Sequence, residues 1–306
     1  MKIFYKELLI FSAISILAGS VAVYFSDNSL IYAKNSTSSA AVVTLKSTSA
    51  PIIDEAAKER NSAAFTNLKE DLNNYIGSYN RNVGLYYYDL TSGNTIEINT
   101  SKEFIAASTV KVPMNMVLLD MVNQGKISLD EKIKYISSDY EAGTGILQGQ
   151  DLDTPIPLGT LMNYSIQYSD NIATQMIIRT IGKEEMREAI DKKIGHSTDH
   201  HQNIYTAADF GLLLKELYAN GDKNSYYSQL TAIMKNTIFH DAIDKDIPQN
   251  ITAHKIGGYE SYSNDIAIVY TDKPYILVVL TNEIPHAADK IAGISKIIYD
   301  YQVKLK

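Results

Sequence analysis

Ser108 and Lys111 stand three residues apart in FIAASTVKVPM, residues 104–114. A serine hydroxyl is a poor nucleophile at neutral pH and needs a base within hydrogen-bond reach. Residues three apart on a helix share a face, so Lys111 can take the Ser108 proton if its amine is uncharged part of the time. Bringing a lysine from about 10.4 towards 7 corresponds to roughly 4 to 5 kcal/mol, which burial and a second nearby cation can supply. An isolated S-x-x-K is a common accident, and two further patterns give it weight. YSDN places Ser169, Asp170 and Asn171 together, and HKIGGY places Lys255, Ile256, Gly257 and Gly258 together, with Lys255 the natural second cation. A second Ser-Asp-Asn at Ser26, Asp27 and Asn28 shows how cheap a three-residue match is. Only the joint order and spacing of the three motifs counts.

The elements that must hold these residues follow from periodicity. Phe65, Leu68, Leu72 and Tyr75 recur at helical spacing, and Ile291, Ile294, Ile298 and Tyr301 give a closing helix. Val83, Leu85 and Tyr87 alternate, Ser92-Gly93 makes a turn, and Ile96 and Ile98 alternate again, which predicts a hairpin. Strand-like runs return at 264–270 and 275–281, separated by a turn at Asp272, Lys273 and Pro274. The stretch 108–245 between them is helical in period. Strands at both ends of the chain with helices between predict an α+β fold. Its antiparallel sheet is assembled from the two chain ends and flanked by the terminal helices, beside an all-helical lobe. Pro113 requires the nucleophile helix to begin no earlier than about Thr109, or to bend there.

Composition narrows the function. The 306 residues carry a net charge of −7 and no basic stripe, which argues against a nucleic-acid partner. With no cysteine there is no disulfide, thiolate metal site or cysteine nucleophile. The six histidines show no H-E-x-x-H or comparable spacing, so neither a metal nor a cofactor is expected. Lys2 and Lys6 precede an uncharged run from Leu8 to Phe25, about 18 residues or 27 Å if helical, which predicts a signal or membrane-anchor segment over 1–33. The basic flank keeps that end in the cytoplasm and sends the rest outward, to an extracytoplasmic location, membrane-anchored or secreted. The Ser-, Thr- and Ala-rich residues 34–62 read as a flexible linker, leaving 63–306 as the folded domain.

With these motifs in this order, residues 63–306 resemble the class A β-lactamases and the penicillin-binding serine hydrolases, whose signature is S-x-x-K, S-D-N and K-T-G. FIAASTVK, SDNIATQMIIRTIG and AHKIGGYESYSNDIAIVYTDKPYILVVLTN resemble the family's nucleophile helix entry, the helix after its second motif and its closing strands. The resemblance implies a serine acyl-enzyme mechanism on a β-lactam or a related amide, with a β-lactam or a peptidoglycan stem peptide as partner and a monomeric chain in the cell envelope. It makes Ser108 the nucleophile, Lys111 its base and Ser169 the proton relay. Asn171, Lys255 and Tyr140 would bind substrate, backbone N–H groups of Ser108 and Gly258 would form the oxyanion hole, and Asp170 and Gly257 would be structural.

Two departures bear on that reading. Ile256 stands where the family has a hydroxyl that helps bind the substrate carboxylate. The loop that would carry the deacylation glutamate, IGHSTDHHQNIYTAADF, contains no E-x-x-L-N. Glu184, Glu185 and Glu188 fall earlier, on the polar side of a helix, and His196, Asp199, His200 and His201 are the substitutes on offer. Acylation is therefore expected without assured fast hydrolysis. The leading reading is an exported β-lactamase-like serine hydrolase, with a penicillin-binding D,D-peptidase or other cell-wall amide hydrolase and a non-catalytic wall-binding or β-lactam-sensing module as alternatives. GTGILQGQ, 143–150, reads as a flexible loop edging the cleft.

Overall fold

The computed structural model describes residues 21–26, 29–34, 43–44, 55–220 and 223–305. The chain divides into two units, Met1–Lys58 and Glu59–Lys306. In the first, β1 (Val21–Ser26), β2 (Ser29–Lys34) and β3 (Val43–Thr44) pair antiparallel. The end of the apolar run expected to enter a membrane, Val21–Phe25, is thus extended rather than helical, while residues 8–20 lie outside the described residues. Among the described residues no helix is long and apolar enough to cross a membrane.

α1 (Glu55–Ile76) starts earlier than the expected domain boundary. It leads into the predicted hairpin, β4 (Val83–Asp89) and β5 (Thr95–Ile98). β6 (Glu103–Ile105) precedes a 3₁₀ turn, Ala107–Val110, and then α2 (Lys111–Asn123). Pro113 therefore sits in the first turn, where its missing N–H costs the helix nothing. β7 (Lys132–Ile133) and β8 (Ile156–Pro157) bracket the next loop, followed by α3 (Leu158–Gln167), α4 (Asn171–Ile181) and α5 (Lys183–Ile194). β9 (Ile204–Thr206) pairs with β6, ahead of α6 (Ala207–Ala219) and α7 (Tyr227–Lys235). The chain closes with β10 (Thr252–Tyr259), β11 (Tyr262–Val269), β12 (Tyr275–Asn282) and α8 (Ala287–Gln302).

The antiparallel sheet runs β10-β11-β12-β4-β5, so strands from both ends of the domain meet between β12 and β4, as the periodicity predicts. Successive strand side chains point to opposite faces. Leu85 and Tyr87 of β4 and Leu277 and Val279 of β12 pack with Leu68, Leu72 and Ile76 of α1 and Ile291, Ile294 and Ile298 of α8. The intervening residues, Tyr86, Ile276, Val278 and Leu280, join a second core with the helical lobe. Both faces being covered explains why β12 reads YILVVL without a polar break. On α1 the core position is Ile76, and Tyr75, expected inside, is exposed. Leu68 and Leu72 are buried as expected, and the stripe shifts by one residue only in the last turn.

β10 is an edge strand, and its outer side runs past the turn that carries Ser108. A Cβ added at Gly257 would lie 2.6 Å from the Ala106 carbonyl oxygen and 2.9 Å from the Ser108 nitrogen. Only a residue without a side chain permits that approach.

Candidate active site

Four of the motif residues meet through direct hydrogen bonds. Lys111 Nζ donates to the Ser169 carbonyl at 2.7 Å, to Ser169 Oγ at 3.2 Å and to Asn171 Oδ1 at 2.7 Å. Lys255 Nζ donates to the same Ser169 Oγ at 3.0 Å and to the Ile256 carbonyl at 2.9 Å. One hydroxyl oxygen therefore accepts from two amines, which leaves its own proton free to point elsewhere. Ser108 stands three residues before Lys111, on the turn Ala107–Val110 that leads into α2. Among the described residues its hydroxyl has no hydrogen-bond partner, and the expected Ser108–Lys111 bond is not formed, because all three Lys111 donors are already engaged.

The two lysines are buried, Lys255 completely. Burial lowers Lys111 to about 8, against the opposing pull of Glu141 and Asp170. Lys255 is pushed well below the ordinary lysine range, by burial first and then by the charge of Lys111. The second-cation effect anticipated for Lys111 thus falls on Lys255, and Lys111 is lowered by desolvation instead. Two amines sharing one acceptor oppose each other's charging.

The Ser169 loop is fixed from every side. Ser169 itself adopts φ +53, a conformation unfavourable to a side-chain-bearing residue. Asp170 caps α4 by accepting from the Ala173 N–H at 2.9 Å, and its other oxygen accepts from Ile146 and Leu147 N–H groups at 2.7 and 2.8 Å. Thr144 Oγ1 donates to the Ser169 carbonyl at 2.7 Å, and Asn171 Nδ2 to the Ala142 carbonyl at 2.8 Å. Gly145 has φ +132, and a Cβ there would come within 2.4 Å of the Asp170 carboxylate. Residues 142–147 are therefore a brace clamped to the Ser-Asp-Asn loop, a correction to the flexible cleft edge read from their glycines.

Other expectations fare unevenly. Asn171 accepts from Lys111, and one N–H of its amide remains uncommitted. Gly258 is exposed, with nothing within 4 Å of a Cβ built on it, so the space above it is open. Tyr140 is exposed, and its neighbours Glu141 and Ala142 contact α4: Gln175 Nε2 bonds the Glu141 carboxylate, and Asn171 Nδ2 the Ala142 carbonyl. Glu141, Thr144 and Gln175 were missed. Only the spacing of Gln175, one helical turn after Asn171, hinted at a shared face. Ile256 packs on the other side of the sheet, against the core of α1 and α8.

The loop after α5 ends against the turn that carries Ser108, where the Ala106 N–H donates to the Asn203 carbonyl at 2.9 Å. Of its titratable groups, three are committed elsewhere and His201 is exposed. His196 Nε2 pairs with Asp209 at 2.8 Å, His200 Nε2 with Asp191 at 2.7 Å, and the Asp199 carboxylate accepts from the His201 and Gln202 N–H groups. Glu184, Glu185 and Glu188 are exposed on α5, as expected of solvated charges.

Residues 67–302 match the profile of the Beta-lactamase enzyme family, which spans well over half of the chain. This chain belongs to that family. Among curated relatives of this family member, Beta-lactamase VEB-1 of Pseudomonas aeruginosa is 22% identical over 275 residues, covering 78% of this chain and 92% of its own. Beta-lactamase 3 of Bacillus cereus is 24% identical over 248 residues, covering 72% and 77%. Among solved structures, PBP-A has a TM-score of 0.71 at 23% identity, over 78% of this chain and 97% of its own. An ancestral class A beta-lactamase has a TM-score of 0.68 at 20% identity, over 76% and 99%. The α+β architecture is thus the beta-lactamase fold, and the chain is a class A beta-lactamase-like serine hydrolase by family.

Proposed function

We propose that this beta-lactamase-family chain is acylated at Ser108 by β-lactams or related amides and that it releases the acyl group slowly. The observation that carries this reading is the Ser169 hydroxyl held between Lys111 and Lys255 at 3.2 and 3.0 Å, beside an uncommitted Ser108. Burial keeps a share of Lys111 uncharged near neutrality. A neutral Lys111 loses one donor and gains a lone pair, which accepts the Ser108 proton as Oγ attacks the lactam carbonyl. Backbone N–H groups of Ser108 and Gly258 stabilise the resulting oxyanion, a contribution of about 3 to 4 kcal/mol per donor. When the C–N bond breaks, the nitrogen takes the Ser169 proton, and Ser169 is reprotonated by one of the two amines that touch it. The product is an ester on Ser108 with the lactam ring open. Lys255 binds the substrate carboxylate, whose arrival favours its charged form, Asn171 offers its spare N–H to a substrate amide, and Tyr140 walls the open side.

Hydrolysis of that ester requires a base for water. The loop after α5 lacks the family's glutamate motif, two of its three histidines, His196 and His200, are paired with Asp209 and Asp191, and the third, His201, is exposed. This supports a long-lived acyl-enzyme. The similarity to PBP-A favours a second reading, a penicillin-binding peptidase of the cell wall, since PBP-A L158E is known as an acyl-enzyme complex with penicillin G. Both readings place the domain outside the cytoplasm, exported by the segment that begins the chain.

The test is intact-protein mass spectrometry of the chain mixed with a penicillin. A mass increase of one drug that persists while free drug is little consumed supports slow release. A transient adduct with rapid consumption makes the chain a fast β-lactamase, and no adduct with penicillins or with peptidoglycan stem peptides rejects the serine acyl-enzyme.

A further inference from the structure

Lys255 and His254 are adjacent on β10 and point to opposite faces of the sheet. His254 shares its face with Asp265 of β11, its Nδ1 lying 3.1 and 3.0 Å from the two carboxylate oxygens. The other ring nitrogen, Nε2, meets Asp244 and His240 from the loop after α7. Asp244 Oδ2 is 3.1 Å from His254 Nε2 and 2.5 Å from His240 Nδ1. All three donor atoms lie within 4.8 Å of one another.

We infer that His240 Nδ1, the Asp244 carboxylate and His254 Nε2 form a site for a divalent transition metal, with zinc the best match, and that solvent completes a tetrahedron. Two imidazoles and a carboxylate are a zinc donor set. Two buried atoms of this set have no hydrogen-bond partner among the described residues: the second carboxylate oxygen, Asp244 Oδ1, and His254 Nε2, which is close to Asp244 Oδ2 but misaligned for a bond. Asp244 and His254 are 1% and 0% exposed. The contact from Asp265 to His254 Nδ1 is the outer support that ligating histidines characteristically have, fixing the ring with Nε2 free to bind. Asp265 is itself held by the Ile243 N–H at 2.9 Å.

Charge points the same way. Asp244 and Asp265 are both buried, and among the described residues no lysine or arginine lies within ion-pair distance of either. A divalent cation balances two carboxylates. Without it, protons on the histidines must do so, and the ion would displace them. Ligand atoms around tetrahedral zinc sit about 3.3 to 3.4 Å apart. His240, the most exposed of the three, has to retreat by less than about 1 Å from Asp244. It lines an open, polar cavity of about 660 Å³ with Asn163, Gln167, Asn236, Gln249 and Asn250, which gives the ion an entry path and a source of water. No H-x-x-x-H spacing announces this set, because two donors come from a loop, His240 and Asp244, and the third from the strand ten residues on.

The test uses the full chain, stripped with a chelator and equilibrated with Zn²⁺ alone, with bound zinc counted by elemental analysis, and Co²⁺ as a spectroscopic substitute. One zinc per chain and intense tetrahedral cobalt bands are expected. His240→Ala and Asp244→Asn should abolish stoichiometric binding, Asp265→Asn should weaken it by roughly 10- to 100-fold, and His201→Ala should leave it unchanged. His240 is partly exposed, so its variant decides the matter even if a buried variant fails to fold, folding being checked by circular dichroism. Absence of zinc from the folded wild-type chain, or equal binding by wild type and His240→Ala, overturns the site. No β-lactam enters this measurement, so its outcome is independent of the Ser108 reading.

Discussion

Ser108 and Ser169 are treated in opposite ways by the same fold. Ser169 is strapped down: its hydroxyl accepts from two lysines, its carbonyl from Lys111 and Thr144, and the neighbouring Asp170 accepts three backbone N–H groups. Ser108 is presented on a turn that follows Ala107 at φ +50, and its hydroxyl bonds to nothing among the described residues. On the proposed acylation the relay is in place before the substrate arrives, whereas the hydrogen bond from Ser108 to its base has still to form. If the proposed roles hold, the contrast teaches that pre-organisation is concentrated on the groups that would move protons and withheld from the atom that would make the new bond.

The largest effect should separate the two serines kinetically. Ser169→Ala should lower the acylation rate about 100- to 10,000-fold by removing the relay, yet still yield an adduct after long incubation, as stopped-flow with a chromogenic cephalosporin followed by mass spectrometry will show. An unchanged rate would mean that Ser169 carries no proton. The next contrast is one of stability. Asp170→Ala strips three N–H groups of their acceptor and removes a helix cap, and should cost about 2 to 4 kcal/mol in urea unfolding. Ser108→Ala removes an unbonded hydroxyl and should stay within about 0.5 kcal/mol of wild type.

The smallest effect concerns pH. If neutral Lys111 is the base, acylation must rise with pH through its value of about 8. Glu141 raises that value by its charge, so Glu141→Gln should move the rising limb to lower pH, increasing the relative rate on its acid side. A limb that stays put, or moves upward, would remove Lys111 or Glu141 from the account.

The architecture was legible because its signals are local and repeated. Alternation in Val83, Leu85 and Tyr87 and the helical period of Ile291, Ile294 and Ile298 each report one buried face, and their positions at the two chain ends dictate a sheet closed from both. The three motifs were legible as motifs. What could not be read is how the gaps between them are bridged. Thr144, Gly145 and Glu141 act through the loop that returns to Ser169, and their glycines look flexible until Asp170 is seen filling the space a Cβ would need. The missing Ser108–Lys111 bond was equally invisible, since spacing fixes which residues are neighbours but not which acceptor a three-donor amine prefers. His254, Asp244 and His240 escaped for the same reason, being joined across a strand and a loop.

The most direct test of the central claim is to locate the acyl group. The chain is labelled with a penicillin, quenched in acid, digested, and the modified peptide sequenced by tandem mass spectrometry. The account predicts one modification, on the peptide that contains Ser108 and on Ser108 itself, lost in Ser108→Ala. An adduct on Ser169, or one that survives Ser108→Ala, would contradict it.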